Sequence, residues 1–178
     1  MATVLITGNP GSGKTSLARE LSQLGYAALD TDQLAGWETA SGTPVTQPLG
    51  ATDEWLLSHR WVWSRPRLQE VIGARPPGQP SFLCGIAMNQ RDLLDLFDEV
   101  FLLALDDATQ RERLDTPDNA HRDAALRAQI LQGRALFQHE MRDAGAVVLD
   151  GRRPTEVLAG QILGRVDGLH TSRRRGPG

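Results

Sequence analysis

The stretch ATVLITGNPGSGKT, residues 2–15, decides the fold of this 178-residue chain. Residues 2–7 are a short, apolar and β-branched run, which is typical of a buried parallel strand. Residues 8–15 match the pattern G-x-x-x-x-G-K-[ST] at every defined position. Residues 16–21 continue with apolar side chains at helical spacing. The order of strand, glycine-rich turn and helix therefore predicts a phosphate-binding loop.

Lys14 is the single lysine among the nineteen lysine and arginine residues. A compact, flexible ammonium follows a phosphoryl group better than a planar guanidinium does, so we expect Lys14 to reach the β- and γ-phosphates of a nucleotide. The Thr15 hydroxyl would bind Mg²⁺. The loop and the helix N-terminus would cradle the phosphates, and the residues predicted to do so are Gly11, Ser12, Gly13, Lys14, Thr15 and Ser16. The alternative is a glycine-rich turn that binds nothing.

Length and composition predict one domain over residues 1–168 and a short, flexible basic tail over residues 169–178. Hydrophobic residues make up 40% and charged residues 23% of the chain, as in ordinary globular proteins. A net charge of −3 gives no overall basic field for nucleic acid or an anionic membrane. Cys84 is the single cysteine, which excludes an internal disulfide and suits a reducing compartment. We expect a cytoplasmic monomer or homodimer that binds neither nucleic acid nor membrane.

Strand and helix patterns alternate along the chain. They predict an α/β fold, a single-domain P-loop NTPase with a five-stranded parallel sheet, helices on both faces and a small lid at about residues 114–123. The predicted strands are residues 2–7, 26–29, 81–84, 100–105 and 146–149. After the helix that begins at residue 16, the predicted helices are 54–72, 90–97, 106–114, 120–142 and 155–166. Residues 36–53 predict a long loop, and Pro66 predicts a kink or a division of the helix at 54–72.

Asp30 and Asp32 follow the second predicted strand. Ligands gather at the carboxyl ends of parallel strands, and sequential strands are usually neighbours, so we expect both aspartates beside the phosphate-binding loop. Their spacing would point both side chains the same way from an extended chain. One would hold Mg²⁺, and the other would accept a proton from a substrate hydroxyl. The alternative is that one of them only caps the next helix or turn.

Arginines and tryptophans mark two further segments. Arg113 lies in the helix after the fourth strand, and Arg122 and Arg134 lie beyond a break at residues 115–119. Two arginine-bearing helices joined by a break would look like a mobile lid closing over ATP, although a solvated helix pair fits the same pattern.

In the middle segment, Arg60 and Trp61 lie among further tryptophans and arginines. They could form an acceptor pocket for a ring and an anionic group, or they could pack in the core.

The chain resembles the shikimate kinase and adenylate kinase group of P-loop small-molecule kinases over most of its length. Besides the phosphate-binding loop, the segments that carry the resemblance are residues 25–26 with 29–32, residue 113, residues 133–137 and residues 150–154. It implies that Asp30 is linked to magnesium and Asp32 to the acceptor hydroxyl. It also implies that Arg113 stacks on adenine, and it assigns Arg134, Arg153 and Pro154 to the ATP side.

Residues 84–90 and 96–103 look more closely still like a group of bacterial kinase-like ATPases. Those proteins carry a Gly-x-x-x-Asn-Gln loop after the third strand, here residues 85–90, and an asparagine near the lid tip, here Asn119. The predicted substrate residues are Asp32, Arg60, Trp61, Gly85 and Asn89.

The chain departs from the family patterns in three places. Residues 85–87 read Gly-Ile-Ala where shikimate kinases have three glycines, which argues against shikimate as the acceptor. The Phe-Pro-Arg substrate loop of adenylate kinases is absent, which argues against a nucleoside monophosphate. Residues 115–119 carry no arginine where the family usually places one, so Arg122 would serve instead.

The sequence thus predicts a phosphotransferase that uses ATP and Mg²⁺ and moves the γ-phosphoryl group to a hydroxyl of a small molecule. Lys14, Asp32 and Arg122 are its predicted catalytic residues, and Thr15 and Asp30 are its predicted metal ligands. Two alternatives stay open. One is a nucleoside or nucleotide kinase, and the other is a nucleotide-binding regulatory protein with little transfer activity, which the arginine-poor lid suggests.

Overall fold

The computed structural model describes residues 2–75, 77–116 and 124–174. Its strands are β1 (Thr3–Thr7), β2 (Ala27–Asp30), β3 (Ala35–Glu38), β4 (Pro44–Val45), β5 (Arg60–Trp63), β6 (Ser81–Cys84), β7 (Glu99–Ala104) and β8 (Val147–Asp150). Its α-helices are α1 (Lys14–Gln23), α2 (Asp53–Ser58), α3 (Arg65–Gly73), α4 (Asp107–Leu114), α5 (Ala124–Asp143) and α6 (Thr155–Arg174). Two 3-10 helices span Thr31–Leu34 and Gln90–Leu96, and the second replaces the α-helix predicted at residues 90–97.

The main sheet contains five strands in the order β2, β6, β1, β7, β8, and all of its strand pairs are parallel. The predicted α/β fold with a five-stranded parallel sheet is therefore confirmed. The expectation that β2 lies beside β1 is wrong, because β6 lies between them. All four residues of β6 are buried, whereas those of β2 are half-buried. The fully buried strand β6 takes an interior position beside β1, and β2 forms the edge.

Two apolar clusters fill the two faces of this sheet, because successive side chains of a strand point to opposite faces. Val4 of β1 packs in one cluster with residues of α1 and α6. Leu5 packs in the other cluster with Leu68 of α3 and Trp63 of β5. Helices therefore lie on both faces of the sheet, as the alternation of elements predicted, and the carboxyl ends of the strands are left for a site.

A second, antiparallel sheet in the order β4, β3, β5 occupies part of the middle segment. The loop predicted at residues 36–53 is wrong where β3 and β4 lie, and the helix predicted at residues 54–72 is divided into α2, β5 and α3. Strand β5 reads RWVW, and aromatic and β-branched side chains favour a strand over a helix. Pro66 lies in the first turn of α3, where no N–H is needed, so it starts a helix instead of kinking one.

Helix α2 connects this small sheet to the long helix α5. The Asp53 carboxylate accepts a hydrogen bond from the backbone N–H of Leu126, in the first turn of α5, at 2.8 Å. First-turn N–H groups have no partner within their own helix, and a carboxylate there also complements the helix dipole. The start of α5 is therefore fixed by a residue of the middle segment.

Helix α6 is longer than its pattern predicted. It runs from Thr155 to Arg174, whereas the prediction ended it at Val166 and began a flexible tail at residue 169. Gly168 lies within it, but one glycine in a helix interior costs only about 1 kcal/mol relative to alanine, which does not end a helix. Most of the predicted lid, residues 117–123, and the last four residues lie outside the described part of the chain. Among the described residues, no helix is both long enough and apolar enough to cross a bilayer.

Candidate active site

The loop between β1 and α1 has the backbone geometry of a phosphate-binding loop. Gly11 and Gly13 have φ angles of 84° and 94°, in the left-handed region that glycine adopts without strain. The backbone N–H of Ser12 donates to the Asn9 carbonyl at 3.0 Å, which closes the turn. Gly8 has no room for a side chain, since a Cβ there would lie 2.8 Å from the Leu103 carbonyl oxygen. The loop is therefore tight enough for successive N–H groups to line a concave anion site.

Lys14 lies folded over this loop. Its Nζ donates to the Gly8 carbonyl at 2.6 Å and to the Asn9 carbonyl at 3.2 Å, and it lies 3.5 Å from Ser12 Oγ. These carbonyl oxygens keep the ammonium at the mouth of the loop. Phosphate oxygens entering the loop would offer the same ammonium stronger, charge-assisted hydrogen bonds.

Thr15 and Asp30 meet at the same edge of the sheet although β6 separates β2 from β1. Thr15 Oγ1 donates to Asp30 Oδ2 at 2.8 Å. Thr15 lies in the first turn of α1 and Asp30 ends β2, and α1 packs across both β2 and β6. A hydroxyl and a carboxylate this close are hard oxygen ligands that suit Mg²⁺, which takes its remaining ligands from water and phosphate. Consistent with so sparse a protein ligand set, residues 2–75, 77–116 and 124–174 contain no cluster of three or more His, Cys, Asp or Glu suited to a metal ion.

Asp32 does not follow Asp30 along an extended strand. Strand β2 ends at Asp30, and Asp32 belongs to the 3-10 helix Thr31–Leu34. Asp30 Oδ1 accepts from the Asp32 backbone N–H at 3.1 Å and so caps this helix. The expectation that the two side chains project the same way from an extended chain is therefore wrong. Asp30 caps this helix through one oxygen and accepts from Thr15 through the other, while Asp32, two residues later, is exposed.

Helix α4 holds the phosphate-binding loop from outside. Arg113 Nη1 donates to the Gly11 carbonyl at 3.0 Å, and Gln110 Nε2 donates to the Pro10 carbonyl at 3.1 Å. Gln110 is fully buried. The structure thus brings Arg113 to the loop, and its predicted stacking on adenine stays a prediction. Sequence reasoning missed Gln110, although its position one turn before Arg113, on the same face of the helix, was a signal that could have found it.

Arg134 lies at the carboxyl end of β7. Its Nη1 donates to the Leu105 carbonyl at 3.0 Å, and Gln138, one turn later, donates to the same oxygen at 2.9 Å. Leu105 directly follows β7, which pairs with β1 in the sheet. The side chain of Arg134 is 19% exposed, so α5 brings a mostly buried guanidinium close to the strand that borders the loop.

The turn after β8 contains the two other residues predicted for the ATP side. Arg153 and Pro154 are both exposed there. The neighbouring Arg152, which sequence reasoning missed, carries the ion pairs instead, to Asp150 at 2.8 Å and to Asp106 at 3.0 Å. Its hydrogen bonds lower the pKa of Asp150 to about 2. Arg152 therefore ties the end of β8 to the start of α4.

Two of the predicted substrate residues have structural contacts. The Asn89 side chain accepts from the Trp63 N–H at 3.0 Å and donates to the Trp63 carbonyl at 2.9 Å, so its amide pairs with β5 as a neighbouring strand would. Gly85 packs directly against Thr31, and a Cβ on Gly85 would overlap the Thr31 hydroxyl. Both residues fix the small sheet against the end of β6, close to Asp30.

The other two middle-segment residues lie in the small sheet. Arg60 forms an ion pair with Glu38 at 3.0 Å, and the Trp61 ring lies 5.1 Å from that of Trp37. Arg122 and Asn119 lie outside the described residues. Arg127 and Asp115 lie on either side of residues 117–123, and Arg127 Nη1 donates to Asp115 Oδ1 at 3.3 Å.

Comparisons with known proteins agree with this geometry. No model of a protein family matches the chain. A dephospho-CoA kinase from Leifsonia xyli subsp. xyli is 26% identical over 183 residues, which cover 94% of this chain and 87% of that protein. Among solved structures, a shikimate kinase from Acinetobacter baumannii in complex with shikimate has a TM-score of 0.60 at 20% identity, with 94% of both chains covered. A gluconokinase from Sinorhizobium meliloti has a TM-score of 0.58 at 16% identity, covering 99% of this chain and 98% of that chain.

These findings show the P-loop kinase fold over nearly the whole chain. They confirm the predicted resemblance to the P-loop small-molecule kinases, and they support an enzyme of the phosphotransferase class that acts on a small molecule.

Proposed function

We propose that this protein is an ATP- and Mg²⁺-dependent phosphotransferase that moves the γ-phosphoryl group of ATP to a hydroxyl of a small molecule. One observation carries the proposal. The Lys14 ammonium and the Thr15–Asp30 oxygen pair, with a 2.8 Å contact, lie side by side at the carboxyl edge of the sheet. Phosphoryl transfer needs mainly positioning and charge neutralisation, and a phosphate cradle beside a magnesium ligand pair supplies both.

The loop would bind the phosphates of ATP through its N–H groups, and Lys14 would exchange the Gly8 and Asn9 carbonyls for phosphate oxygens. Gln110 and Arg113 keep the loop in this shape from α4. The base of the nucleotide would lie toward Arg113. The remaining residues proposed for the ATP side are Ser16, Arg134, Arg153 and Pro154.

Thr15 and Asp30 would hold Mg²⁺ through the hydroxyl and the carboxylate. The ion neutralises charge on the transferred group when it is bound. Asp32, which is exposed beside the capped turn, would orient the acceptor hydroxyl and take its proton. Arg122 would supply a cation over the transferring group. We further propose that the protein is a cytoplasmic monomer or homodimer.

The test of this proposal is the Lys14→Ala variant, with Arg111→Ala as its matched control. Arg111 is exposed and pairs only with Asp107, within α4, among the described residues. We expect Lys14→Ala to abolish MgATP binding in calorimetry and ADP release with any accepted substrate, whereas the control retains both. Unchanged ATP affinity in a folded Lys14→Ala protein would refute the proposal.

The alternatives give different outcomes in the same assays. A nucleoside or nucleotide kinase would release ADP only with those acceptors, in a panel that also contains sugars, polyols and hydroxy acids. A regulatory protein would bind ATP tightly and phosphorylate nothing in the panel. The relative and the two neighbours are named for three different acceptors, dephospho-CoA, shikimate and gluconate, so the acceptor has to be argued from this chain's own residues.

A further inference from the structure

Three tryptophans of the middle segment form one continuous aromatic surface. The ring centroids of Trp37 and Trp61 are 5.1 Å apart, and those of Trp37 and Trp55 are 5.2 Å apart. The His59 ring stacks on Trp55 at 4.1 Å. All three tryptophans are half-buried. We name Trp37, Trp55, Trp61 and His59 the indole surface.

The indole surface continues from the carboxyl edge of the main sheet. Trp37 is paired with Trp61 in the β3–β5 ladder, so both project from one face of the small sheet, and Trp63, two residues along β5, projects from that face as well. The Trp63 ring lies 3.3 Å from the position that a Cβ on Gly85 would take. Gly85 follows Cys84, which is the sheet partner of Asp30. The face of the small sheet that carries Trp37 and Trp61 therefore also carries Trp63, which packs near the end of β6, the strand that pairs with Asp30.

Two arginines of this segment, Arg60 and Arg65, are already paired with carboxylates. Arg60 pairs with Glu38 at 3.0 Å, and this pair follows Trp37 and Trp61 in the ladder, so it projects from the opposite face. Arg65 forms two hydrogen bonds with Asp95, at 2.7 and 2.8 Å. An acid that took its countercharge from either of these arginines would have to disrupt the existing pair, and this costs affinity.

We propose that the acceptor is an uncharged compound with a ring that stacks on the indole surface, rather than a carboxylic or phosphoric acid. Indole rings bind the flat faces of nucleobases and the apolar C–H faces of sugar rings, and both ring types occur in molecules that also carry the hydroxyl to be phosphorylated. This inference rests on the proposed function, since it names the acceptor class of the same site.

The experiment measures tryptophan fluorescence of the full chain with MgADP present, because three of the four tryptophans belong to the indole surface. Matched neutral and acidic probes are titrated: adenosine against adenosine monophosphate, and glucose against glucuronate, which keeps the sugar ring. We expect a neutral probe to change the emission and to bind at least about tenfold more tightly than its acid, which is the affinity ratio that a 1.4 kcal/mol difference gives. The two pairs separate a nucleoside from a sugar as the source of the ring.

Variants assign the binding to the indoles. Trp61→Leu and Trp55→Leu, which lie on different elements, should each weaken the neutral probe by about 3- to 10-fold, the range expected for one aromatic contact. Leu49→Ala is the matched control, because Leu49 is fully exposed in the same segment. Thermal melting of each variant identifies any variant that fails to fold. The comparison of neutral and acidic probes uses the parent protein alone, so it does not depend on the variants.

Two outcomes would overturn the inference. One is an acid that binds more tightly than its neutral partner, above all if Arg67→Gln abolishes that binding, because Arg67 donates to the Gln33 carbonyl beside Asp32. The other is neutral binding that neither tryptophan variant weakens. Neither outcome touches the proposed function, which fails separately if Lys14→Ala leaves MgATP binding intact.

Discussion

The Asp30→Asn substitution tests the proposed metal-ligand pair, Thr15 and Asp30, at small cost to the fold. The Asp30 carboxylate accepts two hydrogen bonds, from the Thr15 hydroxyl at 2.8 Å and from the Asp32 N–H at 3.1 Å. Asparagine has nearly the same shape but only one carbonyl oxygen, so about one of the two bonds is lost. One such bond contributes about 0.5–1.5 kcal/mol to the free energy of unfolding. At this chain length each 1 kcal/mol shifts Tm by about 2–4 °C, so Tm should fall by about 1–6 °C.

The effect on the metal should be larger than the effect on stability. A neutral amide is a poor substitute for a carboxylate at a hard cation, so most of the Mg²⁺ contribution to ATP binding should disappear. We expect the ratio of ATP affinities with Mg²⁺ and with EDTA to fall by at least about tenfold, or 1.4 kcal/mol. Calorimetric titration of ATP under the two conditions measures this ratio, and thermal melting measures the change in stability.

Asp32→Asn is the matched control for this experiment. It changes the same residue type two positions away, and Asp32 contacts Asp30 through its backbone N–H, which the substitution keeps. We expect it to leave the Mg²⁺ dependence of ATP binding unchanged and to reduce turnover by about 10²–10⁴-fold if Asp32 is the general base. If folded Asp30→Asn protein bound ATP with unaltered Mg²⁺ dependence, the assignment of Asp30 to the metal would be wrong.

Three further predictions concern the frame of the site. Gly85→Ala should lower the free energy of unfolding by about 1–3 kcal/mol, because its methyl group overlaps the Thr31 hydroxyl; an unchanged denaturant midpoint would contradict this. Asn89→Leu should cost about 2–4 kcal/mol, since it leaves both the N–H and the carbonyl of Trp63 without their partners, and it should shift the fluorescence-detected unfolding midpoint. The Cys84 thiol is buried and its pKa is raised to about 12, so Ellman's reagent at pH 8 should label it only after unfolding, and rapid labelling of the folded protein would show that β6 opens.

The loop and the main strands could be predicted from sequence because each has a local signal. Residues 8–15 carry a fixed spacing of glycines with Lys14, and the five strands carry apolar runs between turns. The order of strands has no such signal. β6 lies beside β1 because its side chains are the ones that can be buried on both faces, and that depends on what packs there from elsewhere in the chain.

The small sheet and its supports could not be predicted for a similar reason. β3 and β4 are four and two residues long, which is too short for a periodic pattern to appear. The role of Asn89 depends on a strand 26 residues away. Asp32 was misjudged because the Asp30 side chain, rather than the backbone alone, decides where the strand stops.

The contact between Asp53 and Leu126 has a consequence for exchanging the middle segment between related proteins. Residues 31–64 resemble a cassette that could be grafted, but one of their carboxylates caps α5 and two of their backbone groups are held by Asn89. A chimera whose imported segment lacks these hydrogen bonds would leave the first turn of α5 uncapped. An imported segment will therefore have to keep an aspartate at position 53 and a strand edge that Asn89 can pair with.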